Sequence, residues 1–118
     1  MSNPSERCLF CKIAKGEIPA KKIFEDDDVV AFEDINPQAP THFLVIPRRH
    51  IASLDELASG DEAIVGRTIH SAANIARERH LERDGYRTVI NCGEAAGQTV
   101  FHIHVHVLGG RAFNWPPG

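Results

Sequence analysis

The sequence predicts an α+β domain in which a five-stranded antiparallel sheet packs with one long and one short helix. Two observations carry this prediction. Short apolar or alternating runs are separated by turn-forming residues along most of the chain, as expected for strands. One longer stretch, residues 61–80, instead has its apolar residues at helical spacing. The length of 118 residues suits a single domain, so residues 1–118 are predicted to fold as one unit.

The first quarter of the chain predicts the short helix and a hairpin. Residues 8–15 precede Gly16, a residue type common just after a helix, and form the predicted short helix. Residues 22–25 and 29–33 are rich in apolar and β-branched residues, and the acidic segment 26–28 between them is typical of a solvated turn. The two runs are therefore predicted to pair as antiparallel strands.

The middle of the chain predicts a central strand, the long helix and a fourth strand. A loop with two prolines, residues 34–41, leads into the nearly all-apolar run 42–47, and a strand that is apolar on both faces is expected at the centre of a sheet. The apolar stripe of 61–80 predicts a helix packed across one face of that sheet. Residues 86–91 form the fourth predicted strand. The short loop 92–97 makes it the antiparallel neighbour of the strand that follows.

The fifth strand is predicted from three histidines at alternate positions. His102, His104 and His106 are separated by Ile103 and Val105, so on a strand the imidazoles share one face and the apolar side chains the other. Same-face neighbours lie about 7 Å apart, which puts the outer two histidines about 13 Å apart, too far for one zinc ion to bind all three. We expect one imidazole to act as nucleophile or base, another as a donor, and the third to be held elsewhere. A metal site using two of them and three histidines without chemistry are the alternatives.

Composition and charge exclude several classes of protein. The formal net charge of -3 argues against a nucleic-acid-binding surface, which is normally basic. No apolar run is long enough to span a membrane, and the polar first residues lack the apolar core of a signal peptide, so a cytoplasmic location is expected. The three cysteines, with Cys8 and Cys11 close together, suit free thiols or a metal better than a disulfide framework.

The alternation from His102 to Leu108 resembles the motif of the histidine triad superfamily. Other segments resemble its histidine triad nucleotide-binding protein branch: residues 17–20, 24–27, 34–47, 84–87, 109–111 and 115–118. The resemblance implies an α+β domain that forms a homodimer, with the sheet extended across the interface. It also implies a purine nucleoside phosphoramidase, which cleaves the P–N bond of an AMP or GMP amide without a catalytic cofactor.

The resemblance also implies roles for individual residues. His104 would be the nucleophile and would form a nucleotidyl-imidazole that water hydrolyses. His106, His42 and His102 would complete the catalytic group. Asp34 would accept hydrogen bonds from the ribose hydroxyls, and a turn-forming role is its alternative. The remaining substrate-binding positions are Phe10, Ile13, Phe32, Ile35, Asn91, Gly97, Gln98, Thr99 and Trp115, the last of which would approach the site of a partner subunit. The apolar positions among them are also explained as ordinary core residues, and Trp115 as a packing residue.

Cys8 and Cys11 have a spacing that is common in zinc sites. Some bacterial members of the family bind zinc with such a pair and two histidines, and the resemblance implies that His50 and His102 are those ligands here. Four protein ligands would close the coordination sphere, so the zinc would be structural. A reduced pair without metal and a redox disulfide are the alternatives.

Three other functions are compatible with these residues. They are hydrolysis of dinucleoside polyphosphates, nucleotide-dependent regulation with little turnover, and zinc-dependent hydrolysis at an open metal site. The small size of the chain and its resemblance at 115–118 favour the phosphoramidase.

Overall fold

The computed structural model describes residues 4–118, which form a five-stranded antiparallel sheet with helices on both faces and confirm the predicted α+β class. The elements are α1 (Pro4–Arg7), α2 (Leu9–Ala14), β1 (Lys22–Glu25), β2 (Val29–Glu33), β3 (Thr41–Pro47), α3 (Glu62–Glu78), β4 (Tyr86–Val89) and β5 (Val105–Gly109). The strand order β1-β2-β3-β5-β4 places β3 at the centre, as predicted. The one-turn helix α1 is an addition that the sequence did not predict.

The two faces of β2 and β3 are covered by different helices, which explains why both strands are apolar throughout. One face packs on α3, through a cluster that comprises Val29, Ala31, Phe43, Val45, Ala72, Ile75, Ala76, Leu81, Val105 and Val107. The other face packs on α2, through a cluster that comprises Cys8, Phe10, Cys11, Ile13, Ala14, Val30, Phe32, Leu44 and Ile46. Because side chains alternate along a strand, His42 on β3 and His106 on β5 lie on the α2 face. Leu44 and His106 are direct neighbours across the β3–β5 ladder.

Helix α3 packs on the sheet through part of the apolar stripe that the sequence predicts, since Ala72, Ile75 and Ala76 are buried as expected. Its buried positions include Thr68, Ala72 and Ile75, whereas Ile69 is 47% exposed. Thr68 can be buried because its hydroxyl donates to the carbonyl of Ile64 at 2.8 Å. An apolar residue therefore remains on the outer side of α3. None of the helices in the described part of the chain is long and apolar enough to cross a membrane.

The prediction that all three alternating histidines lie on one strand is wrong. β5 begins only at Val105, so His102 and His104 lie in an irregular segment before it. The N–H of Ile103 in this segment donates to the carbonyl of Ile51 at 2.7 Å, which lies outside the sheet. The chain therefore enters the ladder at Val105, three residues after His102, the first histidine of the alternation. As a result the His104 and His106 ring centroids are 5.0 Å apart, closer than neighbours on one strand face.

The exit of β5 packs tightly against the loop between β2 and β3. Gly110 has a φ of +89°, and a Cβ placed on it would lie 2.9 Å from Cβ of Pro40. Gly16 has a similar φ of +79° but nothing within 4 Å of such a Cβ.

We predict that Gly16→Ala lowers the free energy of unfolding by about 1 kcal/mol, from backbone strain alone. Gly110→Ala should lower it by about 2–4 kcal/mol, because Pro40 must also move.

Urea unfolding of the two variants and the unsubstituted protein measures this difference. Equal losses in the two variants would show that the 34–40 loop moves away from Gly110 at no cost.

Candidate active site and metal centre

His104 is held in the tautomer that a nucleophile requires. Its ring is 7% exposed, and Nδ1 lies 2.7 Å from the carbonyl oxygen of His102. A carbonyl only accepts, so the hydrogen is on Nδ1 and Nε2 carries a free lone pair. Burial lowers the pKa of His104, while the hydrogen bond to His102 and the charge of Asp34 oppose that shift. The ring is therefore neutral at neutral pH.

His42 and His106 form a second hydrogen-bonded pair whose tautomers are also fixed by the backbone. The N–H of Gln38 donates to His42 Nδ1 at 3.0 Å, so the hydrogen of His42 is on Nε2. That nitrogen lies 2.9 Å from His106 Nδ1 and 3.3 Å from an Asp34 oxygen. His106 Nδ1 accepts, which leaves the His106 hydrogen on Nε2. Burial, followed by the neighbouring His104 and His42, lowers the pKa of His106 to about 4, against the opposing charge of Asp34.

Asp34, His42 and His106 are residue types that bind metal ions, but the protonation of His42 does not suit a metal ligand. Ligand atoms of Asp34, His42 and His106 all lie within 4.8 Å of one another. A histidine that binds a metal through Nε2 needs a bare lone pair there, and the Gln38 N–H forces the hydrogen of His42 onto that nitrogen. This group is therefore a hydrogen-bond relay rather than a metal centre.

His104 and His106 line a cavity of about 610 Å³ between α2, the 34–40 loop and the loop after β4. The structure brings ten of the predicted residues together in its wall: Phe10, Ile13, Phe32, Asp34, Ile35, Asn91, Gly97, Thr99, His104 and His106. The wall also includes Ile18, Lys21 and Leu44, which the sequence did not single out. The cavity is mainly apolar, with its polar groups gathered near the two histidines and Asp34. This is the usual composition of a small-molecule site.

Two predicted substrate-binding residues do not line this cavity. Gln98 is 2% exposed, and its side chain accepts from Gly93 N–H at 2.8 Å and donates to the Ala52 carbonyl at 2.8 Å. Its own N–H donates to the Gly93 carbonyl. Gln98 therefore shapes the loop after β4 instead of offering free groups. Trp115 is 84% exposed and lies outside the wall of the cavity.

The four residues predicted to bind zinc converge at one point beside this cavity. Cys8 precedes α2 and Cys11 lies in it, whereas His50 follows β3. Cys8 Sγ and Cys11 Sγ each lie 3.4 Å from His102 Nδ1, and Cys11 Sγ lies 3.3 Å from His50 Nδ1. In a tetrahedral zinc site a sulfur and a nitrogen ligand are about 3.5 Å apart, so the spacing fits.

The protonation of this cluster fits a metal as well. His102 Nε2 lies 2.7 Å from the carbonyl of Pro47 and donates to it, which leaves a bare Nδ1 facing the two sulfurs. Burial lowers the pKa of His102 to about 4, so the ring is neutral, as a ligand must be. Burial, then Cys8, raises the pKa of Cys11 to about 12 in the absence of an ion. A divalent cation would compensate this cost by stabilising the thiolate.

His102 connects the cluster to the cavity, although it does not itself line the cavity. The side chain of His102 belongs to the cluster, whereas its backbone carbonyl holds the ring of His104. Whatever positions the His102 side chain therefore also positions the acceptor that sets the His104 tautomer.

The sequence did not identify the backbone groups that complete the site. The resemblance implies a backbone carbonyl as the acceptor for His104, which the loop 93–97 was expected to supply, but His102 supplies it instead. The Gln38 N–H and the carbonyls of Pro47 and His102 each fix one histidine ring. Any residue other than proline can supply an N–H, and every residue supplies a carbonyl. No residue-type signal could have marked these positions.

A five-stranded α+β domain in which a group of histidines lies beside a mainly apolar cavity has the architecture of the histidine-triad class. The chain belongs to the HIT domain family, whose model matches residues 15–113. The matched range contains His42 and all three alternating histidines, and it begins after Cys8 and Cys11.

Similar proteins cover nearly the whole chain. A "14 kDa zinc-binding protein" of Zea mays is 51% identical over 113 residues, which are 93% of this chain and 87% of that protein. An uncharacterized HIT-like protein of Synechococcus elongatus is 50% identical over 97% of this chain and 99% of its own length. The crystal structure of a HIT family hydrolase from Legionella pneumophila has a TM-score of 0.93 at 49% identity, covering 95% of this chain and all of that one (100%). The predicted family and fold are therefore confirmed.

We predict that Cys11→Ser weakens zinc binding by about a hundredfold or more, because a hydroxyl replaces a thiolate ligand. Zinc analysis of the purified variant, together with its thermal unfolding in the presence of zinc, measures the effect. Cys92→Ser is the matched control, since Cys92 is a partly buried free thiol outside the cluster. An unchanged zinc content in Cys11→Ser would remove this cysteine from the ligand set.

Proposed function

We propose that the chain hydrolyses purine nucleoside 5′-phosphoramidates, releasing AMP or GMP and an amine through a covalent intermediate on His104. The observation that carries the proposal is the 2.7 Å hydrogen bond from His104 Nδ1–H to the His102 carbonyl, in the wall of the cavity. This hydrogen bond leaves Nε2 free, and burial of the ring lowers its pKa and keeps it neutral. A neutral imidazole with one free nitrogen is a competent nucleophile at phosphorus.

In the first step, His104 Nε2 bonds to the α-phosphorus while the P–N bond to the amine breaks. The departing nitrogen takes up a proton that reaches it from water at His106, and it leaves as the amine. In the second step, water attacks the phosphorus, the bond to His104 breaks, and the proton returns to solvent. The overall reaction consumes one water molecule. The His106 Nε2–H and the polar groups of Asn91 and Thr99 stabilise charge on the phosphoryl oxygens.

The nucleoside binds in the apolar part of the cavity. Asp34 is proposed to accept from the ribose hydroxyls through the oxygen that also faces His42, because its other oxygen already accepts from the Asn36 N–H at 2.8 Å. The rings of Phe10 and Phe32 and the exposed Ile35 side chain offer apolar surface to a purine. Gly97 lets the loop after β4 approach the phosphate closely, since its φ of +96° favours glycine. Gln98 supports that loop.

Zinc is proposed as a structural cofactor held by Cys8, Cys11, His50 and His102. When bound, it would supply a cross-link between α2, the segment after β3 and the histidine segment. Four protein ligands leave no open coordination position, so the chemistry is assigned to the histidines themselves.

The described cysteines are all free, which agrees with a reaction located in the cytoplasm. Cell fractionation tests that location.

We predict that His104→Asn reduces turnover of adenosine 5′-phosphoramidate by at least about a thousandfold and leaves AMP binding nearly unchanged. Asn lacks the nucleophilic nitrogen but fits the space. Steady-state kinetics and calorimetric AMP titration measure the two properties. His70→Asn, an exposed histidine on α3, is the control and should keep full activity. Turnover should also persist after chelation of zinc, provided the protein remains folded.

Turnover retained by His104→Asn would contradict the assigned nucleophile. No turnover by the unsubstituted protein, with AMP still bound, would favour a nucleotide-dependent regulatory module. A clear preference for dinucleoside polyphosphates over phosphoramidates would assign the chain to that hydrolase activity instead.

We also propose a homodimer in which the sheet continues across β4. That strand lies at one end of the strand order, and Ile69 of α3 is an apolar side chain that remains 47% exposed. In such a dimer, the exposed Trp115 of one protomer would approach the cavity of the other.

We predict that Ile69→Asp shifts the protein from dimer to monomer in sedimentation equilibrium. The control Phe24→Asp, on the opposite edge strand β1, should remain dimeric, and an unchanged mass for Ile69→Asp would exclude α3 from the interface.

A further inference from the structure

The tautomer of His42 depends on a loop residue that is held from the C-terminal side. Gln38 N–H donates to His42 Nδ1 at 3.0 Å, and the carbonyl of the same residue accepts from Arg111 Nε–H at 3.0 Å. One backbone residue therefore connects the histidine pair to the segment that follows β5. Gln38 is exposed, so burial does not hold it in place. Its side chain adds one local hydrogen bond, to the Asn36 carbonyl at 3.0 Å.

Contacts within its own segment orient the Arg111 side chain toward Gln38. Its Nη1 donates to the Ala112 carbonyl at 3.0 Å, and its guanidinium lies 4.2 Å from the ring centroid of Phe113. Arg87 packs over the same ring at 5.2 Å and donates to the Asn114 carbonyl at 2.9 Å. The two arginines thus share Phe113, but their backbone acceptors differ. Arg111 holds the 34–40 loop, and Arg87 holds only the C-terminal segment.

We propose that Arg111 is a positioning residue for the His42–His106 pair. By holding the Gln38 carbonyl, it keeps the N–H of Gln38 directed at His42 Nδ1. His42 then carries its hydrogen on Nε2 and donates to His106, which presents its own Nε2–H to the phosphate.

Loss of the Arg111 bond lets His42 move its hydrogen to Nδ1. His42 Nε2 then accepts from His106 Nδ1–H, which reverses the bond between the rings and leaves a bare Nε2 on His106. A lone pair at that position repels phosphoryl oxygens instead of stabilising them. The kinetic consequence of this inference rests on the proposed phosphoramidase function, whereas the tautomers themselves do not.

The experiment compares Arg111→Met with Arg87→Met in protein labelled with nitrogen-15 at histidine. Nitrogen chemical shifts distinguish protonated from bare ring nitrogens, so they report the tautomers of His42 and His106 directly. In the unsubstituted protein we expect a bare Nδ1 on His42 and a bare Nδ1 on His106. Arg111→Met should average these shifts between the two tautomers. Arg87→Met should retain the original shifts, because Arg87 does not contact the 34–40 loop.

The kinetic expectation is a fall of about three- to tenfold in kcat for adenosine 5′-phosphoramidate in Arg111→Met, with KM changed by less than about twofold. Arg87→Met should keep its kcat. Gln38→Pro removes the donating N–H itself and should average the same ring shifts. It serves as the second variant if Arg111→Met does not fold.

The proposal is overturned if the unsubstituted protein has a protonated Nδ1 on His42, or if Arg111→Met matches Arg87→Met in both ring shifts and kcat. Unaltered ring shifts in Gln38→Pro would also overturn it. Absence of turnover in the unsubstituted protein would contradict the phosphoramidase alone, since the nitrogen shifts would still decide the role of Arg111.

Discussion

The hydrogen bond between His104 Nδ1 and the carbonyl of His102 is the interaction on which the site depends. It fixes the hydrogen on one ring nitrogen and exposes the lone pair of the other. A carbonyl in a regular strand ladder points toward a neighbouring strand and is not available to the ring two residues later. The chain makes it available because the N–H of Ile103 bonds to Ile51 and β5 begins only at Val105. The irregular segment is therefore what makes the His102 carbonyl available to the His104 ring and leaves the lone pair of Nε2 free.

A backbone group fixes the tautomer of each of three neighbouring histidines, but the ring nitrogen that carries the hydrogen differs among them. His104 donates from Nδ1, which leaves the lone pair of Nε2 free beside the cavity. His102 donates from Nε2 to Pro47, which frees Nδ1 for a metal. His42 accepts at Nδ1 from Gln38, which makes its Nε2 a donor. Burial lowers the pKa of His102, His104 and His106, so these rings stay neutral and the tautomer, rather than the charge, distinguishes them.

The parts of this molecule that follow from side-chain type could be predicted from the sequence. The two apolar faces of β3 predicted a central strand, and ten of the residues that line the cavity could be assigned by resemblance. Cys8 and Cys11 could be paired by their spacing, whereas His50 and His102 lie 39 and 91 residues from Cys11 and required the family resemblance. The errors concern backbone partners. Alternation is shared by a strand and by an extended irregular segment, so it could not reveal that Ile103 bonds outside the sheet.

Helix α2 connects the Cys8–Cys11–His50–His102 cluster to the cavity. It has six residues, too few to be stable as an isolated helix, so tertiary contacts must hold it in place. Phe10 of α2 packs edge-on against both His102 and His104, with centroids 6.1 and 5.1 Å apart, and also lines the cavity. An ion bound by Cys8 and Cys11 would fix this helix and with it one wall of the cavity. On the proposed function, a metal that takes no part in the reaction would therefore still influence nucleotide binding and the orientation of His104, through the packing of Phe10 alone.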